Sequence, residues 1–111
     1  MQHNIVFIDD EEDLCEMYED LFSSDDKIVK SFSAPDDALN YIENNEVTMC
    51  FIDYRMPKIK GDVLRKMIKK DIPCVLLTGE LVQEAPEGFL DVIKKPIDDE
   101  NFDLILEKYC S

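Results

Sequence analysis

Charged and hydroxyl side chains follow the short apolar runs of this chain, and their types suit phosphoryl chemistry at a metal ion. These residues are Asp9, Asp10, Asp53, Thr78 and Lys95. Carboxylates packed together repel one another unless a cation binds between them. Mg²⁺ is a hard cation that takes carboxylate oxygens, waters and phosphate oxygens, so it fits this set. A lysine adds positive charge, a hydroxyl can donate to phosphoryl oxygens, and a carboxylate beside the metal can attack phosphorus.

The apolar runs predict the strands that would position these side chains. Continuous runs at 5–8, 49–52, 74–77 and 92–93 are typical of strands buried on both faces, and 27–32 predicts a more exposed strand. Apolar residues at helical spacing predict helices around 14–21, 38–42, 63–68 and 102–109. Strands that alternate with helices predict an α/β fold with a parallel sheet, whose carboxyl edge would collect the polar residues.

Two local features refine this prediction of the elements. Ser33 precedes Pro35 and is predicted to cap the second helix, because serine is a favoured N-cap residue and proline is tolerated in the first turn. The segment 79–88 contains few apolar residues and a proline, so it is predicted to hold a short helix at most.

Length and composition restrict the function. A chain of 111 residues predicts a single domain, 1–111, and a net charge of −14 disfavours contact with nucleic acid or an anionic membrane surface. No apolar run approaches the roughly 20 residues that span a bilayer, and the first residues lack the features of a signal peptide. Cys15, Cys50, Cys74 and Cys110 are interpreted as reduced core residues of a cytoplasmic protein.

Each candidate residue also has a purely structural interpretation. Asp9 and Asp10 could cap a helix, Asp53 could be a solvated turn residue, and Thr78 could simply end a strand. Lys95 could belong to an exposed basic turn. Their joint placement after four strands favours one shared site over these separate explanations.

Four motifs make the chain resemble the receiver domain of two-component response regulators. They are Ile8-Asp9-Asp10-Glu11, Asp53-Tyr54-Arg55-Met56-Pro57 followed by Gly61, Leu77-Thr78-Gly79 and Lys95-Pro96. The resemblance implies a flavodoxin-like three-layer sandwich with five parallel strands in the order 2-1-3-4-5. It also implies a phosphoacceptor that takes its phosphoryl group from a histidine kinase or a phosphotransfer protein, rather than an enzyme with external substrates.

The resemblance also assigns roles to individual residues. Asp53 would be the phosphoacceptor, and Asp9, Asp10, Asp53 and the backbone carbonyl of Arg55 would bind Mg²⁺. Thr78 would donate a hydrogen bond to the phosphoryl group. Lys95 would pair with Asp53 and the phosphoryl oxygens, and the peptide bond between Lys95 and Pro96 would be cis.

Three departures from the family pattern affect the expected output. Val92 stands where receivers usually carry an aromatic switch residue, and Phe89 lies too far from that position to replace it. The stretch from Thr78 to Lys95 is short, so the fourth helix of the family is expected to be shortened or missing. Arg55 and Glu80 flank the phosphoacceptor, either pairing over the site mouth and slowing autodephosphorylation or pointing separately into water.

Two alternative functions remain at this point. A degenerate receiver that only binds a protein partner would fit the missing aromatic residue, although every site residue is present. A haloacid-dehalogenase-like phosphatase also uses an aspartate, a threonine and a lysine, but its Asp-x-Asp motif does not match Asp9-Asp10-Glu11. The downstream target is unknown in each case.

Overall fold

The computed structural model describes residues 3–80 and 84–110. Strands and helices alternate through most of the chain. The five strands are β1 (His3–Ile8), β2 (Lys27–Phe32), β3 (Met49–Asp53), β4 (Cys74–Thr78) and β5 (Asp91–Lys94). The helices are α1 (Glu12–Phe22), α2 (Pro35–Asn44), α3 (Gly61–Met67) and α4 (Asp99–Cys110).

The strands form one parallel sheet in the order β2-β1-β3-β4-β5, which confirms the predicted fold and strand order. The pairing register brings the carboxyl ends of the central strands level with one another. Ile8 pairs with Ile52, Asp53 pairs with Leu77, and Thr78 pairs with Lys94. Residues that end these strands or follow them therefore meet at one edge of the sheet.

Each face of the sheet packs against its own pair of helices, so the central strands are apolar along their whole length. Odd-numbered β1 residues such as Phe7 face α1 and α4, whereas even-numbered ones such as Ile8 face α2 and α3. The α1–α4 side is rich in aromatic rings, with Phe7 centred 4.3 Å from the Tyr18 ring and 4.6 Å from the Phe51 ring. Stacked rings at such separations add to the stabilisation from apolar burial.

The start of α2 differs from its prediction. Its N-cap is Ala34 rather than Ser33, and no side chain caps the helix with a hydrogen bond. Pro35 occupies the first turn, where its fixed φ suits a helix, and it disfavours helical backbone at the preceding residue. Ala34 is accordingly extended, with φ −109° and ψ 121°, so the helix begins one residue later than a serine cap would place it.

The connection from β4 to β5 contains no helix among residues 79–80 and 84–90, as the shortened-helix prediction anticipated. Residues 81–83 of the predicted short helix lie outside the described part of the chain. Phe89 is buried against the α2–α3 side of the sheet. The side chain of Arg65 on α3 donates from Nε to the backbone oxygen of Gly88 at 2.8 Å, which ties this connection to α3.

Charge is distributed unevenly along this acidic chain. The segment 55–70, which runs from the end of the site through α3, contains seven basic residues and one acidic residue, a local charge of +6. Since the net charge of the whole chain is −14, the residues outside this segment carry a charge of −20. Arg55, Lys58, Lys60 and Lys66 are exposed on this basic segment.

Cys15, Cys50 and Cys74 are buried free thiols, which confirms the prediction that they lie in the core. The side chain of Cys110 lies outside the described residues. None of the helices in 3–80 and 84–110 has the length and apolarity required to cross a bilayer.

Candidate functional site

The five residues singled out by type meet at the carboxyl edge of the sheet. Asp9 and Asp10 follow β1, Asp53 ends β3, Thr78 ends β4, and Lys95 follows β5. Asp9, Asp53 and Thr78 are the buried polar or charged residues of the described chain. Burial of two carboxylates at one position is unfavourable without compensating partners.

Asp9 is completely buried, and both of its carboxylate oxygens accept hydrogen bonds. Oδ1 accepts from the backbone N–H of Glu11 at 3.1 Å. Oδ2 accepts from the Tyr18 hydroxyl at 3.0 Å and from Lys95 Nζ at 2.9 Å. The thiol of Cys15 donates to the backbone oxygen of Asp9 at 3.2 Å. Cys15 and Tyr18, which lie one turn apart on α1, thus both donate hydrogen bonds to this aspartate.

Lys95 lies between two carboxylates. Its Nζ is 2.9 Å from Asp9 Oδ2 and 3.4 Å from Asp53 Oδ1. Its backbone N–H donates to the Thr78 oxygen at 2.7 Å, which fixes the start of the chain after β5. Burial lowers the pKa of this lysine, but its contacts with Asp9 and Asp53 outweigh burial and raise the pKa above its usual value. The following peptide bond, Lys95-Pro96, is cis, as the resemblance implied.

Asp53 has a reduced acidity compared with an ordinary aspartate. Burial and the nearby negative charge of Asp9 raise its pKa from 3.8 to about 6, although Lys95 opposes that change. The ionised form of Asp53 is therefore stabilised incompletely by the protein's own residues. A cation placed beside it would favour the carboxylate that is needed for nucleophilic attack.

The three aspartates fit a divalent cation. One carboxylate oxygen from each of Asp9, Asp10 and Asp53 lies within 4.8 Å of the others. Oxygen donors of this type are the ligands that Mg²⁺ prefers, and Mg²⁺ commonly takes only one or two carboxylates together with waters and a phosphate. Asp10 is partly exposed while the other two are buried, so the cluster opens toward solvent on the Asp10 side.

Thr78 and Gly61 shape the immediate surroundings of Asp53. The Thr78 side-chain oxygen accepts a hydrogen bond from the Glu80 backbone N–H at 3.1 Å. Gly61 lies so close to β3 that a Cβ there would be 2.6 Å from the backbone oxygen of Asp53. Its own N–H donates to the Tyr54 oxygen at 2.9 Å. Only glycine allows this close approach, which explains why the motif after Asp53 ends on that residue.

Arg55 and Glu80 form an ion pair at the mouth of the site, with 71% and 58% of their side chains exposed. They line an open cavity of about 640 Å³ that also contacts Asp10 and Tyr54. Of the two arrangements left open by the sequence, the structure therefore has the paired one. Val92, at the position of the family's aromatic switch residue, is partly buried against the α2–α3 side.

Tyr18 and Cys15 were not predicted as site residues. Tyr18 lies within the apolar pattern that predicts the helix around 14–21, and Cys15 is one of the cysteines interpreted as core residues. The sequence nevertheless contains a hint of this contact. A buried tyrosine requires a hydrogen-bond partner for its hydroxyl. The apolar face of the first helix packs against the first strand, so a tyrosine on that face can reach the residues that follow the strand.

The sequence matches the family described as the response regulator receiver domain over residues 5–107, and the chain belongs to that family. This membership selects the receiver interpretation over the haloacid-dehalogenase-like one. The cyclic di-GMP phosphodiesterase response regulator RpfG of Xanthomonas campestris is 32% identical over 108 residues, which cover 85% of this chain and 28% of that protein. The chain thus spans less than a third of that relative's length.

Solved structures show the same fold. The CheY-like receiver domain from Methylobacillus flagellatus superimposes with a TM-score of 0.87 at 23% identity, covering 98% of this chain and 99% of the other. The response regulator TrrA of Thermotoga maritima, solved in complex with Mg²⁺ and BeF, has a TM-score of 0.83 at 18% identity, with 97% and 99% of the two chains covered.

Proposed function

We propose that this chain, as one receiver domain, accepts a phosphoryl group on Asp53 from a histidine kinase or a phosphotransfer protein. The observation that carries the proposal is the buried Asp53 carboxylate, which lies 3.4 Å from Lys95 and within a cluster of three aspartates. Family membership supports the same role. In this proposal the chain transfers a phosphoryl group only to itself, later loses that group, and works in the cytoplasm.

Asp9, Asp10, Asp53 and the backbone carbonyl of Arg55 would hold Mg²⁺ in this proposal. Mg²⁺ bound there supplies positive charge that neutralises the phosphoryl oxygens and favours the ionised form of Asp53. An Asp53 oxygen then forms the bond to phosphorus while the bond from phosphorus to the donor's histidine nitrogen breaks. The donor imidazole leaves with that electron pair.

Lys95 and Thr78 would stabilise the product. The ammonium of Lys95 already lies between Asp9 and Asp53, so a phosphoryl oxygen added to Asp53 comes within its reach. Thr78 is almost fully buried at the adjacent strand end, where its hydroxyl can donate to a second phosphoryl oxygen. A charged donor and a neutral donor in a desolvated site bind developing negative charge far better than they would in water.

Mass spectrometry after incubation with acetyl phosphate and Mg²⁺ tests the proposal. We expect the wild type to gain one phosphoryl group, and Asp53→Ala to gain none. Asp36→Asn provides the matched control, because Asp36 is an exposed aspartate in the first turn of α2, and it should label as the wild type does. Labelling that persists in Asp53→Ala would overturn the assignment of the acceptor.

A second candidate function is a receiver that acts mainly as a protein-binding module. Val92 in place of an aromatic switch residue, and the absence of a helix among residues 79–80 and 84–90, favour it. Amide NMR spectra with and without the phosphodonor distinguish the two functions. Shifts that extend from Asp53 to β5 and α4 would indicate a working switch, whereas unchanged spectra with full labelling would indicate a constitutive module.

A further inference from the structure

Tyr18 brings a hydroxyl group to the base of the aspartate cluster. Its side chain is 1% exposed, and its ring stacks on Phe7 at 4.3 Å and lies 6.1 Å from the Phe22 ring. The hydroxyl projects from this aromatic packing to Asp9 Oδ2 at 3.0 Å. Since the neighbouring rings of the stack are phenylalanines, apolar packing alone would be satisfied by a phenylalanine here as well.

Two donors of different kinds share the Oδ2 atom of Asp9. Lys95 reaches it at 2.9 Å on a flexible side chain, and the same Nζ is 3.4 Å from Asp53. Tyr18 reaches it from a ring held by packing on several sides, so its position does not depend on the state of Asp53. If Lys95 turns toward a group on Asp53, Tyr18 still holds Asp9.

We propose that Tyr18 is a positioning residue for the metal site: its hydroxyl fixes the Asp9 carboxylate in the orientation that Mg²⁺ binding requires. The inference rests on the proposed function, since it concerns the same cluster. Complete burial of Asp9 supports it, because water cannot replace a lost donor there. Outer partners that orient a ligating side chain commonly contribute 10- to 100-fold to metal affinity.

The backbone of Asp9 is held from the same helix. Cys15 lies three residues before Tyr18 on α1 and donates its thiol to the Asp9 backbone oxygen at 3.2 Å. Residues three apart lie on one face of a helix, so α1 contacts this aspartate through both its main chain and its side chain. In this proposal the Cys15 thiol positions the backbone of Asp9, and the Tyr18 hydroxyl orients its carboxylate.

The Mg²⁺ dissociation constant of Tyr18→Phe tests the proposal. This substitution removes the hydroxyl and retains the ring, so the aromatic packing survives. Titration with Mg²⁺ alone, followed by calorimetry and by the amide signals of the cluster, should give a dissociation constant roughly 10-fold higher than in the wild type. Tyr41→Phe is the matched control, because Tyr41 donates its hydroxyl at 3.1 Å to Asn4 Oδ1, away from the cluster.

Thermal melts without Mg²⁺ separate positioning from general stability. A purely structural role would lower the melting temperature of Tyr18→Phe and leave its Mg²⁺ affinity unchanged, which would overturn the proposal. Equal weakening of Mg²⁺ binding in both tyrosine variants would overturn it too. If the wild type itself binds no Mg²⁺, the proposed metal site is wrong. If the wild type and Tyr18→Phe bind Mg²⁺ equally well, the metal site stands and only the role of Tyr18 is wrong.

Discussion

The site has two walls of different construction. The inner wall consists of Asp9 with Tyr18, Cys15 and Lys95, and its hydrogen bonds of 2.9–3.2 Å are buried or partly buried. The outer wall consists of Arg55 and Glu80, whose side chains are mostly exposed. Hydrogen bonds to a buried charge are strong and expensive to break, whereas an exposed ion pair contributes only about 0–1 kcal/mol.

This difference separates two properties of the site. The inner wall determines which species is stable within the cluster, because Asp9, Cys15 and Tyr18 are buried and Lys95 is mostly buried. The outer wall can change with little effect on stability, so it is suited to controlling the access of water and of the phosphate donor.

Asp53→Asn should give the largest change in stability in the absence of Mg²⁺. A carboxyl whose pKa rises from 3.8 to about 6 on folding binds its proton more tightly in the native state, so stability falls as the pH rises through that window. A neutral asparagine escapes this loss. We expect the free energy of unfolding of Asp53→Asn to exceed that of the wild type by about 3 kcal/mol at pH 8 and by roughly half of that at pH 5.

Urea unfolding at both pH values in the presence of a chelator measures this difference. Asp36→Asn, which removes an exposed carboxylate, should show no comparable gain. A difference between Asp53→Asn and the wild type that stays constant from pH 5 to pH 8 would contradict the raised pKa of Asp53.

Mg²⁺ should stabilise the wild type by a slightly smaller amount. A ligand that binds only the native state adds roughly 2.7 kcal/mol when its concentration is a hundred times its dissociation constant. Asp10→Asn should abolish this stabilisation, because Asp10 is one of the three clustered carboxylates. Melting temperatures with and without millimolar Mg²⁺ provide the measurement, with Asp36→Asn again as the control. An unchanged wild-type midpoint would argue against the metal site.

Removal of the outer wall should have the smallest effect on stability. Arg55→Ala and Glu80→Ala are each expected to change the free energy of unfolding by no more than about 1 kcal/mol. Both should nevertheless shorten the lifetime of phosphorylated Asp53, because the ion pair lies across the mouth of the cavity. Half-lives of the phosphorylated wild type and the two variants, measured together, decide the matter. Lys58→Ala, another exposed basic residue, is the control, and equal half-lives in all four proteins would eliminate gating.

Sequence reasoning predicted the sheet and the collection of site residues because both depend on short-range patterns. Apolar runs mark buried parallel strands, and the polar residue that ends each run is carried to the same edge. It did not predict the contact of Tyr18 with Asp9, because the helical pattern indicates only that a side chain faces inward and not what its polar end contacts. Nor did it identify the start of α2 correctly, since the effect of Pro35 on Ala34 outweighed the preference for a serine cap.

The uneven distribution of charge has a consequence for diffusional encounter. An anionic phosphate donor approaching from a distance meets the field of the whole molecule, which is repulsive at a net charge of −14. Close to the mouth it also meets the basic segment 55–70, from which Arg55 and Lys60 line the opening together with the acidic Asp10 and Glu80. Screening at physiological ionic strength acts beyond about 8 Å, a short distance compared with the 33 Å length of the molecule. Salt therefore screens the repulsion by the whole molecule, and we expect anions to reach this site faster at physiological ionic strength than in dilute buffer.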